Sequence, residues 1–187
     1  MEVAVERCVK RFGRIDVVIN CAGIGAYGSV ASLTDDDLSE IIEVNAYGVL
    51  HTVQTSLPYL KVSQGMIVNI TSILGKRTLP YLSALSASKG VVDALTESMR
   101  LELKQDKIKV LSYGPPQMKT DFGGQNKQGK RRLADPDDVA IRLVKAIEKE
   151  KREVIEGKFF STMNFFAPKL VDKLFYKVMV EKKDQSS

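Results

Sequence analysis

Three short runs decide most of what this chain can fold into. DVVIN at 16–20, MIVNIT at 66–71 and IKVLSY at 108–113 are apolar and β-branched, with no polar residue recurring at every second position. A strand with one wet face alternates; a strand that does not alternate is covered on both faces. The segments between these runs are too long for hairpins and carry a helical period. Val3, Val5, Cys8, Val9 and Phe12 predict a helix over 2–12 stopped by Gly13. Thr34 followed by three aspartates is a helix N-cap with negative charge in the first turn, opening a helix over 34–60 with Leu38, Ile41, Ile42, Val49, Leu50 and Val53 inward. A second long helix is expected over 83–105, with small residues along it, and a third from the cap at 135–150. REVIEG at 152–157 supplies a fourth strand, while 21–33, 72–80 and 114–132 read as loops. Helices alternating with fully apolar strands indicate a parallel sheet with right-handed crossovers, a doubly wound α/β fold in one domain.

The totals exclude several classes. The chain has 187 residues and 44% hydrophobic content, enough for a real core. Its net charge of +5 is concentrated near 127–132 and the C-terminus without interleaved aromatics, so nucleic-acid binding is not expected. Cys8 and Cys21 have no second Cys or His at ligand spacing, so neither a disulfide framework nor a metal site is expected. The single histidine, His51, lies within a helical stretch and reads as packed or half-exposed rather than catalytic. No run reaches the ~18–20 apolar residues of a membrane span. The charged, helical N-terminus is not a signal peptide, and the expected location is the cytoplasm.

Gly23, Gly25 and Gly28 spell a G-x-G-x-x-G directly after the first strand. Such a signature cradles a pyrophosphate only when a helix begins on it. Here the next helix cap is Thr34, and the residue about 20 positions on is Glu43, mid-helix rather than at a second strand's end. The match fails its own context and is read as a coincidence.

An ordered series fits better: NCAG after the first strand, EVNAYG in the next helix, IVNITS ending the second strand, and SASKGVVDALTESMRLEL in the helix after it. Together these resemble the short-chain dehydrogenase/reductase family over essentially the whole chain. Asn20, Ala22 and Gly23 fall on the family's Asn-Asn-Ala-Gly, with Cys21 at the second Asn. Asn45 falls on the helix asparagine, Ser72 on the catalytic serine, Lys89 on the lysine of Tyr-x-x-x-Lys, and Pro115 and Thr120 on the ends of Pro-Gly-x-x-x-Thr. The resemblance implies a Rossmann-like sheet, an NAD or NADP cofactor held by Asn20, Ala22, Gly23, Lys89, Pro115 and Thr120, and alcohol/carbonyl redox on a small molecule at Asn45, Ser72 and Lys89.

Three departures bear on that expectation. Measured against the family, the chain starts near the helix before the fourth strand, so the sheet is partial and the glycine-rich nucleotide turn is not expected in it. The tyrosine position four before Lys89 is Leu85, and the glycine of Pro-Gly is Pro116. In the family, tyrosine delivers the proton to the developing alkoxide, its pKa lowered by the lysine and the nicotinium charge; leucine has no proton to give. Tyr81, one helical turn earlier, would need a rearranged helix start to substitute. The chain therefore reads as weak or inactive as it stands, with a non-catalytic binding or interaction protein as the alternative. With the first strand missing, IDVVIN becomes an exposed apolar edge that pairs with a partner, marks a fragment or leaves a marginal protein. A homodimer through helices 34–60 and 83–105 is expected by resemblance. The segment 159–183 reads as an amphipathic helix with Phe159, Phe165, Leu170 and Phe175 against Lys169, Lys173 and Lys177. Packing on the body is favoured over lying on an anionic membrane.

Overall fold

The unalternating runs form neighbouring parallel strands. The computed structural model describes residues 2–120, 122 and 133–156. Strands β1 (Val17–Asn20), β2 (Met66–Ile70), β3 (Lys109–Gly114) and β4 (Glu153–Ile155) lie in the order β1-β2-β3-β4, all parallel. Asn20 pairs with Asn69, and Asn69 with Ser112. Helices α1 (Glu2–Phe12), α2 (Asp35–Ile42), α3 (Gly48–Ser63), α4 (Ile73–Lys76), α5 (Ser83–Glu102) and α6 (Pro136–Glu148) fill the connections.

Strand period two explains why the runs are apolar throughout. Ile67 and Val110 turn to one face, where Val5 of α1, Val49, Val53 and Leu60 of α3 and Val92 and Met99 of α5 cover them. Met66, Val68, Leu111 and Tyr113 turn to the other, against Val139 and Ala146 of α6. On α5 the buried residues Ala84, Ser88, Val92, Thr96 and Met99 recur every three or four positions, which turns its small side chains to the sheet. Thr34 caps α2 through a reciprocal pair with Asp37, and the Asp135 side chain accepts from the Asp137 N–H at the start of α6.

Several expectations are corrected. β1 is covered on one face only: Val18 packs into the core, while Val17 and Ile19 are 39% and 46% exposed on the other. It is an apolar sheet edge among the described residues. The helix expected over 34–60 is continuous but not uniform. It breaks into a π turn at Glu43–Tyr47 and then runs on to Ser63, closed by Gln64 in the left-handed region at φ 52°. Leu38 is exposed rather than inward. α5 ends at Glu102, three residues short of 105, because the chain tightens into turns to reach β3. β2 and β4 are shorter than the runs that announced them, and β3 begins one residue late and ends one residue late. The loop at 72–80 contains α4 and that at 21–33 a 3₁₀ turn, Val30–Ser32. The amphipathic helix expected over 159–183 lies outside the described residues. No helix among the described residues is long and apolar enough to cross a membrane.

Candidate active site

Of the sequence-predicted residues, Asn20, Ala22, Gly23, Asn45, Ser72 and Lys89 lie around the ends of β1 and β2, the edge at which parallel sheets of this kind carry their ligands, whereas Pro115 and Thr120 follow β3 with no contact to them shown. Asn20 closes β1, and its Nδ2 donates to Asn69 Oδ1 at 2.8 Å. Asn69 in turn donates to Thr96 Oγ1 at 2.8 Å, and Thr96 to the Val92 carbonyl at 2.6 Å. A buried polar chain thus ties the two strand ends to α5.

After Asn20 the chain turns through Cys21, Ala22 and Gly23 without starting a helix; Gly23, Gly25 and Gly28 all lie in irregular backbone. The G-x-G-x-x-G therefore has no helix N-terminus to offer a phosphate. Gly23 serves a different contact: a Cβ there would sit 3.0 Å from Asn45 Oδ1. Asn45 lies in the π turn, 1% exposed. Its Oδ1 accepts the Ile24 N–H at 2.8 Å, and its Nδ2 donates to the Ile24 carbonyl and to Ser88 Oγ, both at 2.9 Å. The π turn directs this amide at the glycine loop and holds the loop's backbone.

Ser72 follows β2 in extended backbone and caps α4, its Oγ accepting the Leu74 N–H at 3.1 Å. That bond leaves the hydroxyl hydrogen unspent. Lys89, 8% exposed, donates from Nζ to the Ile70 carbonyl at 2.9 Å, two residues before Ser72. Burial pushes the Lys89 ammonium below its ordinary pKa, with Cys21 and Asp93 close enough to oppose the shift. One turn before Lys89, Leu85 is buried against the glycine loop; a Cβ on Gly25 would lie 3.5 Å from Leu85 Cδ2.

Tyr81 is turned elsewhere. Its backbone is left-handed, φ 66°, its carbonyl accepts the Gly28 N–H at 2.9 Å, and its ring lies 5.3 Å from that of Tyr27. The two tyrosines border a pocket of about 130 Å³ with Leu33, Asp37 and Ala84, a lining that includes neither Ser72 nor Lys89. Burial, then Tyr81, pushes the Tyr27 phenol above its ordinary pKa. Pro115 and Thr120 lie beyond β3, half-buried and exposed respectively. Pro116 and Lys119 of the same loop border a second hollow of about 440 Å³ at the start of α6. Phe122 leans over the glycine loop: a Cβ on Gly25 would meet its ring at 3.0 Å, and one on Gly23 at 3.7 Å. His51 is exposed, its ring beside Tyr47. No group of His, Cys, Asp and Glu among the described residues could hold a metal ion.

Lys89 has spent one of its three ammonium donors, and the Cys21–Gly23 turn lies beside the same strand ends. Sequence reasoning missed Ser88, Asp93 and Phe122. Only Ser88 had a signal, its place one helical turn from Ala84 and Val92 on the buried stripe.

Residues 1–131 match the short chain dehydrogenase family. A 3-ketodihydrosphingosine reductase of Bacteroides thetaiotaomicron is 36% identical, over 80% of this chain and 56% of that protein. Dehydrogenase/reductase SDR family member 7B of Mus musculus is 30% identical, over 98% of this chain and 62% of its own length. The chain thus spans about three-fifths of these relatives. An alcohol dehydrogenase of Thermococcus sibiricus, solved with 5-hydroxy-NADP, superposes with a TM-score of 0.72 at 30% identity, covering 82% of this chain and 67% of that one. Parallel sheet, strand-end polar cluster and sequence together assign the chain to the short-chain dehydrogenase/reductase family.

Proposed function

We propose that the chain carries the carbonyl-orienting half of a nicotinamide-dependent alcohol/carbonyl oxidoreductase site and is weak or inactive as it stands. The observation that carries this is Leu85, 7% exposed and packed toward the glycine loop one turn before Lys89, with Tyr81 bordering a different pocket. When bound, NAD or NADP supplies or takes the hydride. Ser72 donates its free hydrogen to the substrate oxygen. Lys89 offers its remaining donors to the coenzyme, and Asn45 fixes the loop that borders both. No side chain at the Leu85 position delivers a proton, and losing general acid catalysis costs ~10²–10⁴ in rate, about 3–5 kcal/mol of barrier.

The experiment is a titration with NADH and NADPH followed by melting shift, with turnover measured on a long-chain 3-ketone, the substrate class in the name of the Bacteroides relative. Micromolar stabilisation with little turnover supports the reading. No shift at millimolar coenzyme supports the alternative, a non-catalytic binding or interaction protein. A homodimer through the helices expected over 34–60 and 83–105 is compatible with both readings, and Val91 and Leu101 supply exposed apolar surface on α5 for it.

A further inference from the structure

Ser72 sits between two anchors on a single helix. Two residues before it, the Ile70 carbonyl is held by Lys89 of α5. Four residues after it, Lys76 lies with Nζ 3.6 Å from Oδ2 of Asp93, one turn further along α5. A third tie reaches the residue next to Ser72: Ser112 Oγ donates to Asp93 Oδ1 at 3.4 Å, so the 3.0 Å contact between Thr71 and Ser112 is donated by Thr71. Thr71 and Ser112 are each 2% exposed. Gly75, inside α4, approaches so closely that a Cβ there would overlap the Asp93 carboxylate and lie 2.8 Å from the Lys89 carbonyl oxygen. The backbone from 70 to 76 is thus laid against α5 on both sides of Ser72.

We propose that Asp93 is a positioning residue for Ser72: its buried carboxylate holds α4 through Lys76 and holds Thr71 through Ser112, which fixes the direction in which the Ser72 hydroxyl points. This rests on the reading of Ser72 as the carbonyl-orienting hydroxyl. The Asp93 side chain is 8% exposed. Burial holds its carboxyl above the usual carboxylate range, Glu153 adding to the shift, although Lys76 and Ser112 pull the other way. Lys76 is shared with Glu153, 3.5 Å away, and Lys89 lies one turn back along α5. Asp93 Oδ2 makes no hydrogen bond among the described residues and meets Lys76 only as an ion pair, and such a buried pair adds little to global stability. Its neutral isostere should leave global stability intact while loosening α4.

The test is residue-resolved amide hydrogen exchange on Asp93→Asn, which needs neither coenzyme nor turnover and so fails independently of the coenzyme titration. Leu74, whose N–H bonds Ser72 Oγ, and Gly75, whose N–H bonds the Ser72 carbonyl, are the reporters. The expected result is at least about tenfold faster exchange at both, with Val68 and Leu111 and the denaturant midpoint unchanged. Lys76→Met, at a residue 37% exposed, should reproduce the effect and decides the matter if Asp93→Asn does not fold. Unchanged exchange at Leu74 and Gly75, or a parallel rise at every amide, overturns the proposal.

Discussion

Asn45 grips Ile24 by both of its backbone polar groups, accepting the N–H at 2.8 Å and donating to the carbonyl at 2.9 Å. With the bond to Ser88, the amide has three partners in a site 1% exposed. Asn45→Ala strands Ile24 and Ser88 without that amide. It should cost about 2–4 kcal/mol, read as a lower midpoint in urea, because buried groups left unpaired carry their full desolvation penalty. Coenzyme affinity should fall with it, since the glycine loop loses its holder.

Leu85→Tyr should restore a proton donor on the face that carries Lys89. Carbonyl reduction should rise tenfold or more over the unmodified chain in steady-state assays, up to ~10²–10⁴ if the phenol is fully aligned. Lys89→Met in the same background should abolish the gain. Leu85→Tyr giving no gain while coenzyme binding stays intact would place the limitation outside this side chain.

Gly75→Ala should destabilise the fold by about 2–3 kcal/mol, measured by chemical denaturation. The Lys89 carbonyl that the new methyl meets is helix backbone and cannot rotate away. Gly48→Ala, where an added Cβ meets only the Glu43 carbonyl oxygen at 3.8 Å, should be close to neutral and serves as the control.

Tyr113 predicts a loss of stability at alkaline pH. Burial and the neighbouring Glu156, which accepts its hydroxyl at 2.7 Å, push its phenol from 10.0 to about 12. A pKa raised in the folded state contributes stability that is full below pH 10.0 and disappears as the pH climbs to about 12. Melting temperature should therefore fall across that window, and Tyr113→Phe should flatten the fall.

Ile19→Lys should improve solubility with little change in stability. The side chain is 46% exposed on the open face of β1, and a charge on an apolar edge discourages strand pairing. Light scattering across a concentration series checks this. A drop of several degrees in melting temperature would mean that something covers that face.

The sheet was legible because burial on both faces of β2 and β3 removes polar alternation, and the β-branched content and helical segments between the runs pointed to parallel strands. Thr34 and Asp135 were legible because caps are local chemistry. The π turn was not: it adds a residue to one helical turn without requiring any residue type, so EVNAY reads as ordinary helix. Nor was α4, whose four residues, ILGK, include a glycine that disfavours helix on its own; Asp93 and Lys89 decide it from another element. Asn45, Ser72 and Lys89 were placed by the order of their motifs. Asp93 was not placed, since an aspartate four residues past a lysine reads as a solvated pair until α4 folds over it. Phe122 meets the glycine loop from about a hundred residues away, a contact that no local pattern encodes.

The π turn has a consequence for how this segment responds to sequence change. Gly48 N–H reaches back to the Glu43 carbonyl, five residues away, where an α-helix would reach four. Deleting one residue between them would let the helix close regularly, with α2 and α3 keeping their rotational phase and their apolar stripes. Such a shortened protein would gain a regular helix, yet its asparagine would no longer meet the glycine loop, and the stability carried by the bonds to Ile24 and Ser88 would go with that contact. The surplus residue is thus retained against the helix's own preference by the loop that the amide grips, so the irregularity and the loop's shape should be lost together.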